Sequence, residues 1–484
     1  MGEPRQLRIA IIGAGASGLM AVIKLREAGF EDVVVFEKAS SLGGTWRDNR
    51  YPGIACDVPS LAYRYSFAPN TEWSHVFSPG SEILAYLEQT AAQHDVEGRV
   101  RYDSEIVRAD YRDGRWRLES VQGDEGWFDA VVTATGLLHH PVLPDIPGVD
   151  RFAGPAFHTA RWDDAVSLAG KRVGIIGTGS TATQIVCAVI DDVARLSLFQ
   201  RTPQWIRQLP NKPIPAEKRD AWRSDPELLE AEYDRLTGWQ NTEFAAAVVG
   251  ENETAYDELA AACEEYLATV RDPDLRRRLT PDYKVGCKRL VMSDGFYEAI
   301  QRPHAELVTE GIESLCPAGI RTRDGRVHEL DVVIFATGFD THRFLRPMEV
   351  RGRDGLSLDD VWADANEGYL TVMVPGFPNW FMIGGPNSPI GNFSWLQTAE
   401  RQFGFALQVI QRIAAGEVSE VVPKASAARA FNDAVRDQLP KTVWASGCHS
   451  WYMDAKGRIA SWPWTFDRFS EDMQSPRWDD FELA

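Results

Sequence analysis

The chain has 484 residues, more than one ordinary core accommodates, so two or more domains sharing an interface are expected. Its 44% hydrophobic and 25% charged residues are ordinary globular usage and exclude extensive disorder. A formal charge of -19 opposes non-specific attraction to nucleic acid or anionic lipid, so any bound phosphate must be held by a local basic or amide-lined site.

An apolar strand starts within the first ten residues, which leaves no room for a signal peptide, and no apolar run reaches the roughly 18 residues of a spanning helix. Stable membrane insertion is therefore not expected. "LRIAIIGAGASGLMAVIKLREAGFEDVVVFEKA" then reads as strand, glycine turn, amphipathic helix and second strand. In its Gly13-x-Gly15-x-Ser17-Gly18 turn, the first glycine permits the tight bend and the second lets a pyrophosphate approach the backbone. Gly18 lets the helix pack on the strand. Glu37, at the end of the second strand, is placed to accept hydrogen bonds from ribose hydroxyls.

The pattern recurs at "KRVGIIGTGSTATQIVCAVIDDVARLSLFQRT", with Gly177, Gly179 and Ala182 in the three turn positions. Twenty-four residues after the first glycine of each turn stand Glu37 and Arg201 respectively. A carboxylate repels a 2′-phosphate and a guanidinium pairs with it, so the second turn is expected to prefer NADP(H). Residues 214–282 are helical in pattern, with Tyr256, Leu259, Cys263, Tyr266, Leu267 and Val270 on one face.

Two further apolar strands, "DAVVTATG" and "DVVIFATGF", each follow a meander-like region and are expected to return the chain to a dinucleotide sheet. The fold expected is α/β, with two Rossmann-like dinucleotide-binding domains for FAD and NADP. Residues 1–150 form the first part of the FAD domain. Residues 151–335 form a linker and the NADP domain with its helical insertion, and 336–484 complete the FAD domain with a C-terminal mobile loop. Six scattered cysteines without C-x-x-C or zinc-like spacing predict reduced thiols, no metal and a cytoplasmic location.

Between the two glycine turns lies "FAGPAFHTARWD", with Phe152, Gly154, His158, Trp162 and Asp163 and little of the alternation of a strand. It fits F-x-G-x-x-x-H-x-x-x-W-D, and the chain resembles the type I Baeyer-Villiger flavin monooxygenases. The related flavin-containing monooxygenases, which oxygenate nitrogen and sulfur, generally end this stretch with another aromatic residue. "GGTWRDNRYPGIACDVPSLAYRYSF", "GTGSTATQ", "FQRTPQW", "GCKRLVMSDGFYEAI", "GGPNSPIGN" and "SWYMDAKG" extend the resemblance over nearly the whole chain.

The resemblance implies hydride transfer from NADPH to FAD, formation of a C4a-peroxyflavin with O2, and attack on a ketone to give an ester or lactone. It implies Arg289 as the active-site arginine and Asp57 as the carboxylate that positions it. Gly44, Thr45, Trp46, Asp57, Tyr63, Ile106 and Trp395 would border the flavin. Thr178, Ser180, Thr181, Gln184, Thr202 and Lys288 would border NADP, with Trp451 in a loop folding over it. The fingerprint would be a linker coupling the domains. Lys284 and Arg458 depart from the family pattern in loop positions. The alternatives are heteroatom oxygenation of sulfur or nitrogen, and a non-oxygenating flavin reductase; no oligomeric state is assigned.

Overall fold

A computed structural model describes residues 5–389, 391 and 393–484. Six core strands read IAII, VVVF, AVVT, RVGII, RLSLF and VVIF, nearly continuous apolar runs rather than alternating ones. Such runs suit parallel sheets covered on both faces, and two five-stranded parallel sheets are what they build.

The first sheet is ordered Trp380–Met382, Ala130–Thr133, Ile9–Ile12, Val33–Phe36, Val100–Arg101. Ile12 lies level with both Phe36 and Thr133. The strand Trp380–Met382 joins its edge from far along the chain. The long helix Trp395–Ala414 packs on the helix Ala16–Glu27, and their buried faces share one apolar core.

The second sheet is ordered Ala305–Val308, Arg195–Phe199, Arg172–Ile176, Val332–Phe335, Ala156–His158. Both strands that end in Ala-Thr-Gly follow antiparallel meanders, Ile106–Phe128 for the first and Ile312–Glu329 for the second.

Two expectations need correction. The stretch read as lacking strand character contains a short strand, Ala156–His158, because it pairs in parallel with Val333–Phe335 at the sheet edge. One-sided edge pairing needs no alternation when only three residues take part. The reduced-thiol expectation also fails for one pair. Cys287 and Cys448 form a disulfide, with Cα atoms 6.1 Å apart, a separation at which two cysteines can be bridged. Cys56, Cys187, Cys263 and Cys316 are free. The cysteine argument for a reducing compartment falls with that bond.

Residues 214–282 contain the helices Ala216–Ser224, Pro226–Gly238, Ala245–Val249, Glu253–Ala268 and Pro273–Leu279. Asn252 caps the fourth by accepting from the Ala255 amide at 3.0 Å. Its face of Leu259, Cys263, Tyr266 and Leu267 is buried as the spacing predicts, whereas Val270 is buried beyond the helix end. Among the described residues no helix is long and apolar enough to cross a membrane.

Candidate active site

The two glycine turns are built alike. Gly13 has φ +108°, and a Cβ there would lie 2.5 Å from the Ala134 carbonyl oxygen; Gly177 has φ +119°, with Ala336 O at 2.2 Å. Each first glycine thus seats against the alanine of an Ala-Thr-Gly segment, so the two motifs far apart in sequence form one joint in each sheet. Gly18 packs behind its turn, where a Cβ would collide with Gly13 O at 1.8 Å.

Gly15 and Gly179 stand at the N-caps of the following helices, and among the described residues no side chain caps either end. The first-turn amides are therefore left as donors for a phosphate, aided by the helix dipole. This orphaned donor set fits a dinucleotide pyrophosphate at each turn.

Both turns open on one cavity of about 1570 Å³. Of the residues picked out for cofactor or catalysis, all reach its wall except Gly18. None of Phe152, Gly154, His158, Trp162 and Asp163 does. Pro389 and Gly391 of the "PNSPIGN" turn reach it, as do Phe393 and Trp395 just beyond, while Ile390 and Asn392 of that motif lie outside the described residues.

Around the first turn, Glu37 accepts from the amides of Ala14 at 2.8 Å and Ala39 at 2.9 Å. Its carboxylate already braces the turn from below, a part played in addition to any ribose contact. Trp46 Nε1 donates to the Tyr63 hydroxyl at 3.1 Å, with the rings edge to face at 5.7 Å. Burial pushes the Tyr63 phenol well above its usual range, so it stays neutral. Trp395 Nε1 donates to Ser17 Oγ at 3.1 Å, tying the C-terminal long helix to the first turn.

Around the second turn, Thr178 Oγ1 donates to Thr202 O at 2.8 Å. Gln184 lines the cavity and is also held by protein partners. Its Oε1 accepts from the Tyr51 hydroxyl at 2.9 Å and its Nε2 donates to Ala55 O at 3.0 Å. Gln184 thereby docks the helix Ser180–Val189 on the 51–55 segment that leads to Asp57. Tyr51 was not singled out from the sequence, and nothing in its spacing marks it.

Arg201 and Lys288 both face the cavity, and among the described residues neither has a carboxylate within ion-pair distance. Burial first and the Arg201 charge second lower the pKa of Lys288, and the Asp282 carboxylate opposes them only in part. Lys288 Nζ lies 4.9 Å from the Tyr283 ring centroid. Lys284 is exposed at the start of this turn, and Arg458, which does not line the cavity, pairs with Asp454, which does, at 2.8 Å and with Asp364 at 2.9 Å.

Arg289 and Asp57, 232 residues apart, meet with Nη2 and Oδ2 at 2.5 Å. The Asp57 charge is the largest influence holding Arg289 in its charged form, against the opposing effect of burial. The Arg289 side chain is 32% exposed, and the residue lines the cavity. Trp451 also lines it, with its carbonyl fixed by Thr341 Oγ1 at 3.2 Å and by the His342 ring at 3.0 Å.

His158 supports the site from outside. Its Nδ1 accepts from the Ala160 amide at 3.0 Å, which leaves Nε2–H to donate to Gly338 O at 3.1 Å. Gly338 closes the second Ala-Thr-Gly segment and does line the cavity. Trp162 packs edge to face on Phe157 at 5.1 Å, and Asp163 caps a turn through Ala165 N at 3.0 Å.

A family model described as flavin-binding monooxygenase-like matches residues 6–212. An uncharacterised monooxygenase of Mycobacterium tuberculosis is 47% identical over 456 residues, covering 94% of this chain and 92% of the relative. A Baeyer-Villiger monooxygenase of Streptomyces coelicolor is 39% identical over 471 residues, covering 96% and 90%. The crystal structure of cyclohexanone monooxygenase from Rhodococcus sp. Phi1 bound to NADP+ superposes with a TM-score of 0.88 at 30% identity, over the whole of both chains. The chain belongs to the flavin-binding monooxygenases, in their Baeyer-Villiger branch, and is an FAD-dependent enzyme of that class.

Proposed function

We propose that this enzyme uses NADPH and O2 to insert one oxygen atom beside the carbonyl of a ketone, giving an ester or lactone. NADPH, O2, a proton and the ketone become NADP+, water and the ester. Bound FAD supplies hydride acceptance and oxygen activation. The uncapped turn at Gly13 holds its pyrophosphate, with Glu37, Trp46, Tyr63 and Trp395 around it. The turn at Gly177 holds NADPH, with Arg201 and Lys288 neutralising the 2′-phosphate.

The observation that carries this reading is the Arg289–Asp57 pair on the wall of the cavity reached by both turns. Negative charge builds on oxygen throughout such a reaction. A guanidinium donates hydrogen bonds to it without surrendering a proton, because its pKa lies far above neutrality. Asp57 holds one edge of the group, so no reorganisation is needed when the charge develops.

Arg289→Ala is expected to keep NADPH-dependent flavin reduction while ester formation falls in kcat by about 10²–10³-fold, the usual effect of losing one preorganised donor. Ester formation at the wild-type rate would remove Arg289 from this role. Purified enzyme offered ketones, sulfides and quinones under labelled O2, with products identified by mass spectrometry, tests the reaction itself. An ester carrying one labelled atom supports the proposal; products confined to sulfoxides or reduced quinones overturn it.

A further inference from the structure

Asp57 grips Arg289 through Nη2, which leaves the Nη1 edge to be held by something else. That edge faces the space over Gly391. A Cβ built on Gly391 would lie 2.8 Å from Arg289 Nη1 and 2.5 Å from the Tyr452 hydroxyl oxygen, so phenol and guanidinium converge on one point. Tyr452 is 4% exposed and, unlike Arg289, does not reach the cavity wall. Any influence it has on bound molecules is therefore indirect, and its hydroxyl, the polar end of the ring, is turned towards Arg289.

Burial pushes the Tyr452 phenol up to about 12, although the adjacent Arg289 charge pulls it the other way. A neutral phenol offers an acceptor, and a guanidinium has only donors. The ring has little freedom to leave. It stacks on Trp451 at 4.8 Å with planes 24° apart, packs on Trp444 at 5.3 Å, and its own carbonyl accepts from Ala460 N at 2.8 Å. The Cys287–Cys448 bond fastens this loop to the segment that carries Arg289.

We propose that Tyr452 is a positioning residue, its hydroxyl fixing the Nη1 edge of Arg289 while Asp57 holds the Nη2 edge. The inference rests on the reading of Arg289 as the donor of the oxygen-inserting site. Without the hydroxyl the guanidinium can turn about its bond to Asp57, and displacement of a reacting group by about 1 Å is enough to cost on the order of 100-fold in rate.

Tyr452→Phe keeps the ring and its packing and removes one oxygen. The expected result is a kcat for ester formation lowered by about 10–100-fold, with KM for NADPH and the rate of flavin reduction unchanged. Crystal structures of wild type and variant should show the guanidinium rotated in the variant. An unchanged kcat, or a guanidinium in the same place in both structures, overturns the inference. If wild type makes no ester from any ketone, the reaction assigned above fails instead, and the paired structures still decide the role of Tyr452.

Discussion

Arg201 and Lys288 place two positive charges at one cavity wall, and their chemistry sets a pH dependence. Lys288 titrates below the ordinary lysine range because of burial and the neighbouring guanidinium. A 2′-phosphate favours the protonated amine, so NADP+ affinity should weaken as pH rises through that lowered pKa, while NAD+ affinity should not. Titrations of both nucleotides across pH test this, and Lys288→Arg should flatten the NADP+ profile, because arginine stays charged. A profile common to both nucleotides would contradict it. Arg201 was legible in the sequence because it occupies the same offset as Glu37. Asp57 and Arg289 were legible only through motif resemblance, since nothing local joins residues 232 positions apart. Tyr452 was overlooked beside Trp451: its significance is a contact made in space, and two adjacent aromatic residues in a polar loop do not declare which one faces an arginine.

At the scale of elements, the edge strand Ala156–His158 works as a strap. One of its ends hydrogen-bonds through His158 to the turn that closes the strand Val332–Phe335. His158→Ala should remove both ring bonds, stranding the Gly338 carbonyl and Ala160 amide, and destabilise the protein by about 1–3 kcal/mol. Thermal denaturation measures the loss. Burial is the main cause lowering the His158 pKa from the ordinary 6.5. The neutral ring's contribution is therefore complete above about pH 6.5 and lost as pH falls through the lower folded value. His158→Gln should shrink that acid slope, and an identical slope would exclude His158 as its source. The parallel strands were readable because runs such as IAII and VVIF are apolar on both faces. This short strand was not, because three residues carry no period and its pairing partner lies far along the chain.

The whole molecule is two parallel sheets facing one cavity, joined by contacts that motif reading did not reveal. Gln184 sat in a nucleotide motif, yet it joins the second sheet's first helix to the 51–55 segment. Cys287 lies inside one quoted motif and Cys448 two residues before another, and their pairing became visible only when the fold set their Cα atoms 6.1 Å apart. Cross-links of this kind typically add about 2–4 kcal/mol by restricting the unfolded chain. The Cys287→Ser, Cys448→Ser double variant, or wild type treated with a dithiol, should melt at a lower temperature than the oxidised protein. Equal melting temperatures would show that the bond contributes nothing to stability.

That bond also makes the chain a lariat: residues 287–448 form a closed ring from which both termini trail. Where a protease cuts then decides whether the molecule comes apart. The exposed turn at 323–326 lies within the ring, and trypsin cleavage after Arg323 leaves a single band on a non-reducing gel that a reductant splits into two. The exposed helix end at Arg223 lies outside it, so cleavage there yields two bands with or without reductant.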